Sequence, residues 1–354
     1  MKRILLVSPF PPYIGGVSIS VQRLYEYLKH SGYEVVRFNT QIDNPKFNFR
    51  ALKFFKYFFL PVYLLTSKHY DVIHFHVSNI IPKLYVSMWR PLFPKTRFVI
   101  TIHGQIQDLF MSKAGRIAFT GYDRIICVAK GDKIRVPARY RLKTAEIPAF
   151  IPPVLSDNAP EKIPQGLKTF LERDTFKILL NGVVIINDSY TDLYGFKDAI
   201  MLLEKLLALN KKADLILVVM GIGYNNTSKD YISDLKKYIS DKGLGENVYW
   251  VEGAKMDLWP LLKKVNLLLR PTKSDGDALS IRESLYLNIP VISSDVVPRP
   301  EGTLVYTLNS DKDLLDKTLS LMDNYADQLI IVKNSGADIN FADKIIEQYE
   351  CELG

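Results

Sequence analysis

The sequence has few of the residues that build disulfide frameworks and metal clusters. Only two of its 354 residues are cysteine, Cys127 and Cys351, and they lie far apart. Such a pair predicts neither a disulfide-stapled secreted domain nor a cysteine–zinc site. Histidine is also scarce, with five residues, and their spacing does not match a zinc motif. We therefore expect a protein of a reducing compartment that requires no metal and no cofactor.

Long hydrophobic runs are missing too. No stretch reaches the roughly 18 apolar residues that a transmembrane helix needs. The first residues, MKRILLVSPFPP, contain only the short apolar run Ile4–Val7, and no small-residue cleavage site follows it, so they do not match a secretory signal peptide. The expected location is cytoplasmic.

Acidic residues are rare in the first half of the chain. Between Asn44 and Gln107 the only acid is Asp71, against nine Lys and Arg. Residues 1–160 contain 23 basic and 9 acidic residues, a net charge of +14, whereas the remainder has 23 basic and 29 acidic residues, a net charge of −6. This asymmetry predicts that one domain faces an anionic surface.

The most basic and aromatic segment is FNFRALKFFKYFFLPVYLL, Phe47–Leu65. At about 100° per residue its cations share one face and its apolar side chains share the other. An interfacial membrane helix has this pattern, and so does a domain helix that packs on a sheet with solvated lysines. On the membrane interpretation the following residues face the lipid: Arg50, Lys53, Phe55, Lys56, Phe58 and Phe59.

Short apolar strands alternate with helix-like segments in two blocks, which predicts an α/β protein with two doubly wound Rossmann-like domains. We expect a first domain over residues 1–160 and a second over residues 174–336. A proline-rich linker falls near Ser156–Gln165, and a terminal helix over residues 337–354 should pack on the first domain. No strand is followed by Gly-x-Gly-x-x-Gly, which argues against a nicotinamide-dependent dehydrogenase.

The most informative stretch is RPTKSDGDALSIRESLYLNIPVISSD, Arg270–Asp295. It follows the apolar run Val265–Leu269 and is typical of strand, loop, helix and strand. The loop should therefore lie at the carboxyl edge of a parallel sheet, where open α/β folds bind ligands. It carries two acids, Asp275 and Glu283, with seven residues between them.

This pattern resembles that of the GT4-type retaining glycosyltransferases of the GT-B fold, in which two glutamates have the same spacing. The resemblance extends over most of the chain. It implies two Rossmann-like domains facing across a cleft, with a C-terminal helix that crosses back. It also implies transfer of a sugar from a nucleotide-sugar donor, a UDP-sugar rather than a GDP-sugar, without a metal.

The resemblance also implies roles for individual residues. His103, at the end of the Thr-x-His strand Arg97–Gln105, and Asp275 would act on the donor sugar, and Glu283 would hold the ribose. The remaining donor-binding candidates follow from the glycine loops and from the helix N-terminus: Gly16, Gly221, Gly223, Arg270, Lys273, Asp277, Ala278, Leu279, Ser280 and Arg282. His74 and His76 are expected to be hydrogen-bonded within the fold.

The chain departs from the family pattern at the diphosphate. Relatives usually have Gly-Arg after the first strand of the second domain and Lys-Gly about a dozen residues later. Here Val183 stands in the Arg position and Tyr194 in the Lys position. We expect Arg270 and Arg282 to replace this pair, with Lys197 as a weaker candidate.

Two alternatives remain open at the donor site. Asp275-Gly276-Asp277 also looks like the Asp-x-Asp metal motif of other glycosyltransferases. Asp275 stands where the family usually has the first glutamate. This departure and the missing basic pair also fit a catalytically silent partner protein that only binds a nucleotide sugar.

The basic, Phe-rich surface favours a lipid-linked saccharide acceptor in bacterial-type polysaccharide assembly. It also favours a peripheral position on the anionic inner face of the cell membrane. We expect no nucleic acid partner.

Overall fold

The computed structural model describes residues 1–11, 15–40, 59–76, 80–103, 113–153, 163–184, 192–222, 226–252, 257–336 and 340–350. The chain divides into two compact units. The first comprises Met1–Val154 with Asn340–Gly354, and the second comprises Leu155–Ile339. Each unit has a six-stranded sheet in which all described pairings are parallel. This confirms the predicted α/β class with two Rossmann-like units.

The first unit has the strand order β2-β1-β3-β4-β5-β6. Its elements in chain order are β1 (Arg3–Ser8), α1 (Gly16–His30), β2 (Glu34–Asn39), α2 (residues 59–66), β3 (Val72–Phe75), α3 (Ile80–Trp89), a 3₁₀ turn (Arg90–Leu92), β4 (Arg97–Ile102), α4 (Lys113–Ala118), β5 (Arg124–Cys127), α5 (Asp132–Arg135), α6 (Ala138–Arg141) and β6 (Thr144–Glu146).

Alternation along the strands of this unit separates two buried faces. Phe98, Ile100 and Ile102 of β4 belong to one core together with Leu60 of α2 and Trp89 of α3. The intervening side chains of β4 and β3 point to the opposite face, because successive residues of a strand alternate.

The C-terminal helix covers that opposite face. Tyr349 donates or accepts a hydrogen bond with His74 of β3, and Arg97 of β4 donates to the Tyr349 carbonyl at 2.8 Å. The hydroxyl of Tyr27 in α1 donates to Asp343 at 2.5 Å.

The second unit has the strand order β12-β11-β10-β7-β8-β9. Its elements are α7 (Gln165–Leu171), β7 (Phe176–Val184), α8 (Phe196–Ala208), β8 (Ala213–Ile222), α9 (Asn226–Asp241), a 3₁₀ turn (Gly245–Asn247), β9 (Val248–Glu252), α10 (Trp259–Leu262), β10 (Leu267–Arg270), α11 (Leu279–Tyr286), β11 (Val291–Ser294), β12 (Thr303–Tyr306), α12 (Asp311–Asp323) and α13 (Tyr325–Lys333); the terminal helix of the first unit, Ala342–Glu350, is α14.

Neighbouring residues of β10 enter different cores in this unit. Leu267 and Leu269 pack with α8, α9 and α12, whereas Leu268 packs with α7, α10, α11 and α13. A sheet covered by helices on both faces requires such continuous apolar strands. The run Val265–Leu269, which is predicted to form a buried strand, contributes Leu267–Leu269 to this sheet.

Several element boundaries differ from the sequence-based expectation. The helix expected at Leu193–Asn210 begins at Phe196, because Gly195 adopts a left-handed φ of 71°. Asp192 accepts from the Gly195 and Lys197 amides at 3.0 and 2.9 Å, so its carboxylate occupies the start of α8. A carboxylate there stabilises the helix.

The basic, Phe-rich segment Phe47–Leu65 and the linker are described only in part. Residues 47–58 of Phe47–Leu65 and residues 156–162 of the linker lie outside the described residues, while residues 59–66 are helical. Among the helices that the structure describes, none is long and apolar enough to cross a membrane.

Candidate donor and histidine sites

A cluster of buried charges lies at the carboxyl edge of the second sheet. Arg270 ends β10, and the loop after it carries Asp275. The Arg270 Nη2 donates to Asp275 Oδ1 and its Nε to Oδ2, each at 3.2 Å. Arg299, which follows β11, donates from Nη1 to Asp275 Oδ2 at 2.9 Å. Two guanidiniums therefore share one carboxylate and leave a net charge of +1.

Backbone and hydroxyl donors complete the shell of Asp275. The Thr272 hydroxyl donates to Oδ2 and the Gly276 amide to Oδ1, each at 3.1 Å. Burial raises the pKa of the Asp275 carboxyl, but Arg270 and Arg299 outweigh burial and hold that pKa below its ordinary value. Asp275 is thus an anion that its surroundings hold in one orientation.

Arg270 also lies over an aromatic ring. Its guanidinium carbon is 4.9 Å from the centre of the Tyr194 ring, within cation–π distance. A Cβ on Gly182 would come within 2.6 Å of that ring, so only glycine allows Tyr194 to approach β7. Arg270 further donates to the Asn181 carbonyl at 3.3 Å.

The helix after this loop carries a second ion pair. Ala278 is the N-cap of α11, which starts with Leu279 and Ser280. The Arg282 Nε lies 2.7 and 2.8 Å from the two carboxylate oxygens of Asp277. The anion beside Arg282 in this structure is therefore a side chain of the same loop.

Other donor-binding candidates lie around this edge. Glu283 is 3% exposed, so its carboxylate is buried on α11. Lys273 is partly exposed, and its amide donates to the Leu193 carbonyl at 3.0 Å. Gly221 belongs to the end of β8, whereas Gly223 lies outside the described residues.

The glycine candidate of the first unit lies at the start of α1. Gly15 is the N-cap with extended φ of −163°, and Gly16 is the first helical residue. A Cβ on Gly16 would meet nothing within 4 Å. The space beside Gly16 is open, so packing within the protein does not require glycine at this position.

Three histidines meet at the carboxyl edge of the first sheet. His76, just after β3, and His103, just after β4, are joined by a 2.9 Å hydrogen bond between Nδ1 and Nε2. His74 bonds through Nδ1 to the Tyr349 hydroxyl and through Nε2 to the Thr101 hydroxyl, each at 2.7 Å. His74 and His76 are therefore hydrogen-bonded within the fold, as expected, and the partner of His76 is His103.

Burial keeps these imidazoles neutral. It lowers the pKa of His74 to about 3 and that of His103 to about 4, and it lowers the pKa of His76 well below the ordinary value. His74 and His76 are buried, whereas His103 is partly exposed. Of the three, His103 is therefore the one with a surface open to a ligand.

The lipid-facing candidates are only partly described. Arg50, Lys53, Phe55, Lys56 and Phe58 lie outside the described residues. Phe59 lies on α2 and is 62% exposed.

The described parts of the chain contain no metal-binding cluster. There, no group of three or more His, Cys, Asp or Glu could hold a metal ion.

Sequence reasoning missed two relationships in these sites. The contact of Tyr194 with Arg270 joins residues far apart in sequence. The bond from His76 to His103 could have been found from parity. In the register of β3 with β4, His74 pairs with Val99, so His-x-His and Thr-x-His lie on one face of adjacent strands.

Two family models match the chain. "Glycosyl transferases group 1" matches residues 183–334, and "Glycosyltransferase Family 4" matches residues 14–152. Together they cover most of both units. A search of curated protein sequences found no match.

Solved structures with the same fold include the following three proteins, each of low sequence identity to this chain. Anabaena HepE in complex with UDP is 14% identical with a TM-score of 0.69, covering 99% of this chain and 100% of that one. Sucrose-phosphate synthase from Thermosynechococcus elongatus is 16% identical with a TM-score of 0.67, covering 99% and 98%. A UDP-forming trehalose-phosphate synthase from Burkholderia xenovorans is 13% identical with a TM-score of 0.71, covering 99% of each chain.

These likenesses establish the fold, and the two family models establish the class. The chain belongs to the GT4-type glycosyltransferases of the GT-B fold, enzymes that transfer a sugar from a nucleotide-sugar donor.

Proposed function

We propose that this protein is a retaining glycosyltransferase that moves a sugar from a UDP-sugar to a lipid-linked saccharide in bacterial-type polysaccharide assembly. The observation that carries the proposal is the contact of Arg270 with both Tyr194 and Asp275. A permanently charged guanidinium lies at the carboxyl edge of a parallel sheet, close to a helix N-terminus. Open α/β folds bind anionic ligands at such an edge.

In the proposed reaction, the bond between the anomeric carbon and the diphosphate breaks, and its electron pair leaves with the diphosphate. The acceptor hydroxyl forms the new bond on the same face of the sugar and gives its proton to a diphosphate oxygen. Arg270 and Arg282 offset the negative charge that develops on the leaving group, because guanidinium binds phosphate oxygens in a bidentate manner. Lys197 is the weaker candidate, since the Asp192 carboxylate already occupies the start of α8.

Asp275 acts on the donor sugar in this proposal. When Arg270 turns to the diphosphate, it releases the Oδ1 atom that it holds at 3.2 Å. That oxygen then accepts a hydrogen bond from a sugar hydroxyl, while Arg299 keeps hold of Oδ2. His103 contacts the same sugar, and Glu283 holds the ribose. The backbone amides of residues 277–280 face the phosphates.

The proposed transfer needs no divalent metal. Both carboxylates of the Asp-Gly-Asp sequence already have guanidinium partners, since Asp275 pairs with Arg270 and Arg299 and Asp277 pairs with Arg282. A metal that used these oxygens would have to displace three arginine contacts.

An exposed apolar face in the first unit supports a lipid-linked acceptor. On α2, Leu60 and Leu64 are buried in the core, whereas Phe59, Val62 and Leu65 are exposed. The surrounding residues 1–160 have a net charge of +14. Aromatic and aliphatic side chains beside a basic surface favour docking on an anionic membrane, which we assign to the inner face of the cell membrane.

The proposal is tested by incubating the purified chain with a panel of UDP- and GDP-sugars, with and without polyprenyl-diphosphate saccharides. We expect slow hydrolysis of one UDP-sugar alone, and faster transfer with retained anomeric configuration when an acceptor is present. The rate should be unchanged in excess chelator.

Each part of the proposal has an outcome that contradicts it. Nucleotide-sugar binding without hydrolysis or transfer would indicate the catalytically silent partner protein. Complete loss in chelator, reversed by Mg²⁺ or Mn²⁺, would indicate the Asp-x-Asp metal site. Preference for a GDP-sugar would exclude the uridine donor, which the UDP complex of HepE supports.

A further inference from the structure

We propose that His76 is a positioning residue that fixes the tautomer of His103, so that the His103 Nδ1 carries the proton and donates it in a hydrogen bond to the sugar. This inference rests on the proposed contact of His103 with the donor. It adds the direction of that hydrogen bond and the residue that sets it.

The imidazole of His76 is held from several sides. Its backbone amide donates to the Val7 carbonyl at 2.9 Å, which continues the β1–β3 pairing beyond Phe75. Its ring lies 4.1 Å, centre to centre, from the ring of His74. His74 is in turn held through both ring nitrogens by Tyr349 and Thr101. His76 therefore presents its Nδ1 to His103 in a fixed direction.

The bond between the two imidazoles contains one proton. Both rings are neutral, because burial lowers the pKa of each, and a neutral imidazole has one donor and one acceptor nitrogen. Either His76 Nδ1–H donates to His103 Nε2, or His103 Nε2–H donates to His76 Nδ1. The choice made by one ring sets the tautomer of the other.

The second ring nitrogen of His76 decides between these arrangements. His76 Nε2 is buried and has no hydrogen-bond partner among the described residues. If His103 were the donor, His76 Nε2 would carry a proton and be a buried N–H without an acceptor. Orphaned buried donors are rarer in proteins than under-satisfied acceptors. We therefore infer that His76 Nδ1–H donates to His103 Nε2. In this arrangement His76 Nε2 carries no proton, and an unpaired buried acceptor costs less free energy than an unpaired buried N–H donor.

The tautomer of His103 determines which group its Nδ1 atom presents to a ligand. With Nε2 accepting from His76, the proton of His103 resides on Nδ1. His103 is the partly exposed member of the three, so this N–H can reach a bound sugar and donate to a hydroxyl oxygen. The opposite tautomer would present a lone pair there and would require the sugar to donate.

The first test reads the tautomer directly. The full-length protein labelled with ¹⁵N-histidine contains five histidines, so long-range ¹⁵N–¹H spectra at pH 7.5 can be assigned with single His variants. We expect the protonated ring nitrogen of His103 to be Nδ1. A protonated Nε2 in the parent protein would overturn the inference whatever the activity.

Substitutions at His76 test whether it sets the tautomer. His76→Asn offers an amide N–H close to the position of Nδ1, whereas His76→Asp offers only acceptor oxygens and should shift the proton of His103 to Nε2. We expect His76→Asn to keep the parent tautomer and most of the turnover. His76→Asp should lower kcat about 2- to 10-fold, the range expected for losing one hydrogen bond between neutral groups in the reacting complex.

Tyr349→Phe is the matched control. It removes a hydrogen bond of His74 from the same cluster but leaves the His76–His103 bond in place, so the His103 tautomer should stay unchanged. Equal kcat for His76→Asn and His76→Asp, with thermal unfolding showing both folded, would overturn the inference. Full activity of His103→Ala would instead refute the proposed sugar contact, even if the Nδ1–H tautomer is found.

Discussion

The guanidinium of Arg270 lies 4.9 Å from the centre of the Tyr194 ring. Tyr194 lies in the turn before α8, at the position where the family pattern has a lysine, whereas Arg270 ends β10. The position of the missing lysine and the arginine that we propose as its replacement are therefore in contact, although 75 positions separate them in sequence. The Tyr194 ring stabilises the Arg270 guanidinium, since a guanidinium stacks on aromatic faces.

Replacing Arg270 should affect the diphosphate more than the nucleoside. We expect Arg270→Gln to weaken binding of a nucleoside diphosphate about 10- to 100-fold, because it removes a charge-assisted hydrogen bond. Calorimetry with uridine and with UDP measures both affinities. Arg173→Gln is the control. Arg173 precedes β7 and pairs with Asp214 near the start of β8, so this ion pair lies at the opposite end of the strands from the carboxyl edge. Parental UDP affinity in Arg270→Gln would exclude this arginine from the diphosphate site.

Arg282→Gln is expected to weaken UDP binding in the same way, because Arg282 is the second proposed phosphate contact. In this structure it pairs with Asp277 at 2.7 Å. If UDP affinity falls in Arg270→Gln but not in Arg282→Gln, the Arg282–Asp277 pair only stabilises the loop and α11. Calorimetry on the double variant would then give the value of the Arg270 variant alone.

Neutralising Asp275 should destabilise the second unit strongly. Asp275→Asn leaves the buried guanidiniums of Arg270 and Arg299 without their shared carboxylate, and breaking a buried ion pair typically costs about 3–5 kcal/mol. Urea unfolding measures the free energy of unfolding. Asp323→Asn is the control, because its ion pair with Lys211 is exposed and should contribute at most about 1 kcal/mol. Similar unfolding midpoints for the two variants would contradict a structural role for the Asp275 cluster.

The two ends of the donor should respond to different substitutions. His103→Ala should lower kcat with little change in the affinity for nucleotide, since the proposed contact is with the reacting sugar. Glu283→Gln should raise KM for the nucleotide sugar and weaken UDP binding, since its proposed contact is with the ribose. Steady-state kinetics with the identified donor separates the two effects. An unchanged KM in a folded Glu283→Gln variant would remove the ribose assignment.

The stability of the first unit should fall in mild acid. Burial lowers the pKa of His74 to about 3 and of His103 to about 4, whereas both titrate near their ordinary value of 6.5 when unfolded. Below about pH 6.5 the unfolded chain therefore binds more protons than the folded one, and the free energy of unfolding decreases as pH falls.

Urea unfolding at pH 7.5, 6.5, 5.5 and 5.0 measures this slope. Stability should be constant above pH 7 and decline below 6.5. His74→Gln should flatten the decline, whereas His69→Gln should not, because His69 is exposed. Equal slopes in both variants would show that other groups cause the acid sensitivity.

Membrane docking should depend on both charge and apolar surface. Lys53→Glu with Lys56→Glu should weaken co-sedimentation with anionic liposomes, since each basic residue near such a surface contributes about 1 kcal/mol. Phe59→Ser with Leu65→Ser should weaken it independently of salt, because both side chains are exposed on α2. Met88→Ser, an exposed residue of α3, is the comparison variant. Equal recovery on neutral and anionic liposomes would remove the electrostatic part of the proposal.

The sequence by itself determined the fold class and the edge at which the donor site is sought. Leu267–Leu269 of β10 are all apolar because the strand is covered on both faces. The polar loop that follows lies at the carboxyl edge because it continues from the carboxyl end of this parallel strand. Sequence spacing did not identify Gly195 as the boundary of α8, because the close approach of Pro271 to Gly195 comes only from the fold.

Only the tertiary structure decided which charges meet. Asp275 and Glu283 were found from their spacing, but spacing does not show that Arg270 and Arg299 both turn to Asp275, or that Arg282 turns to Asp277. His76 and His103 follow β3 and β4. Parity within each strand predicts the face on which each histidine lies, whereas only the fold shows that β3 and β4 are neighbours. Local sequence sets the period of a strand or helix, whereas hydrogen bonds between side chains depend on neighbours that the chain brings together only when its sheets form.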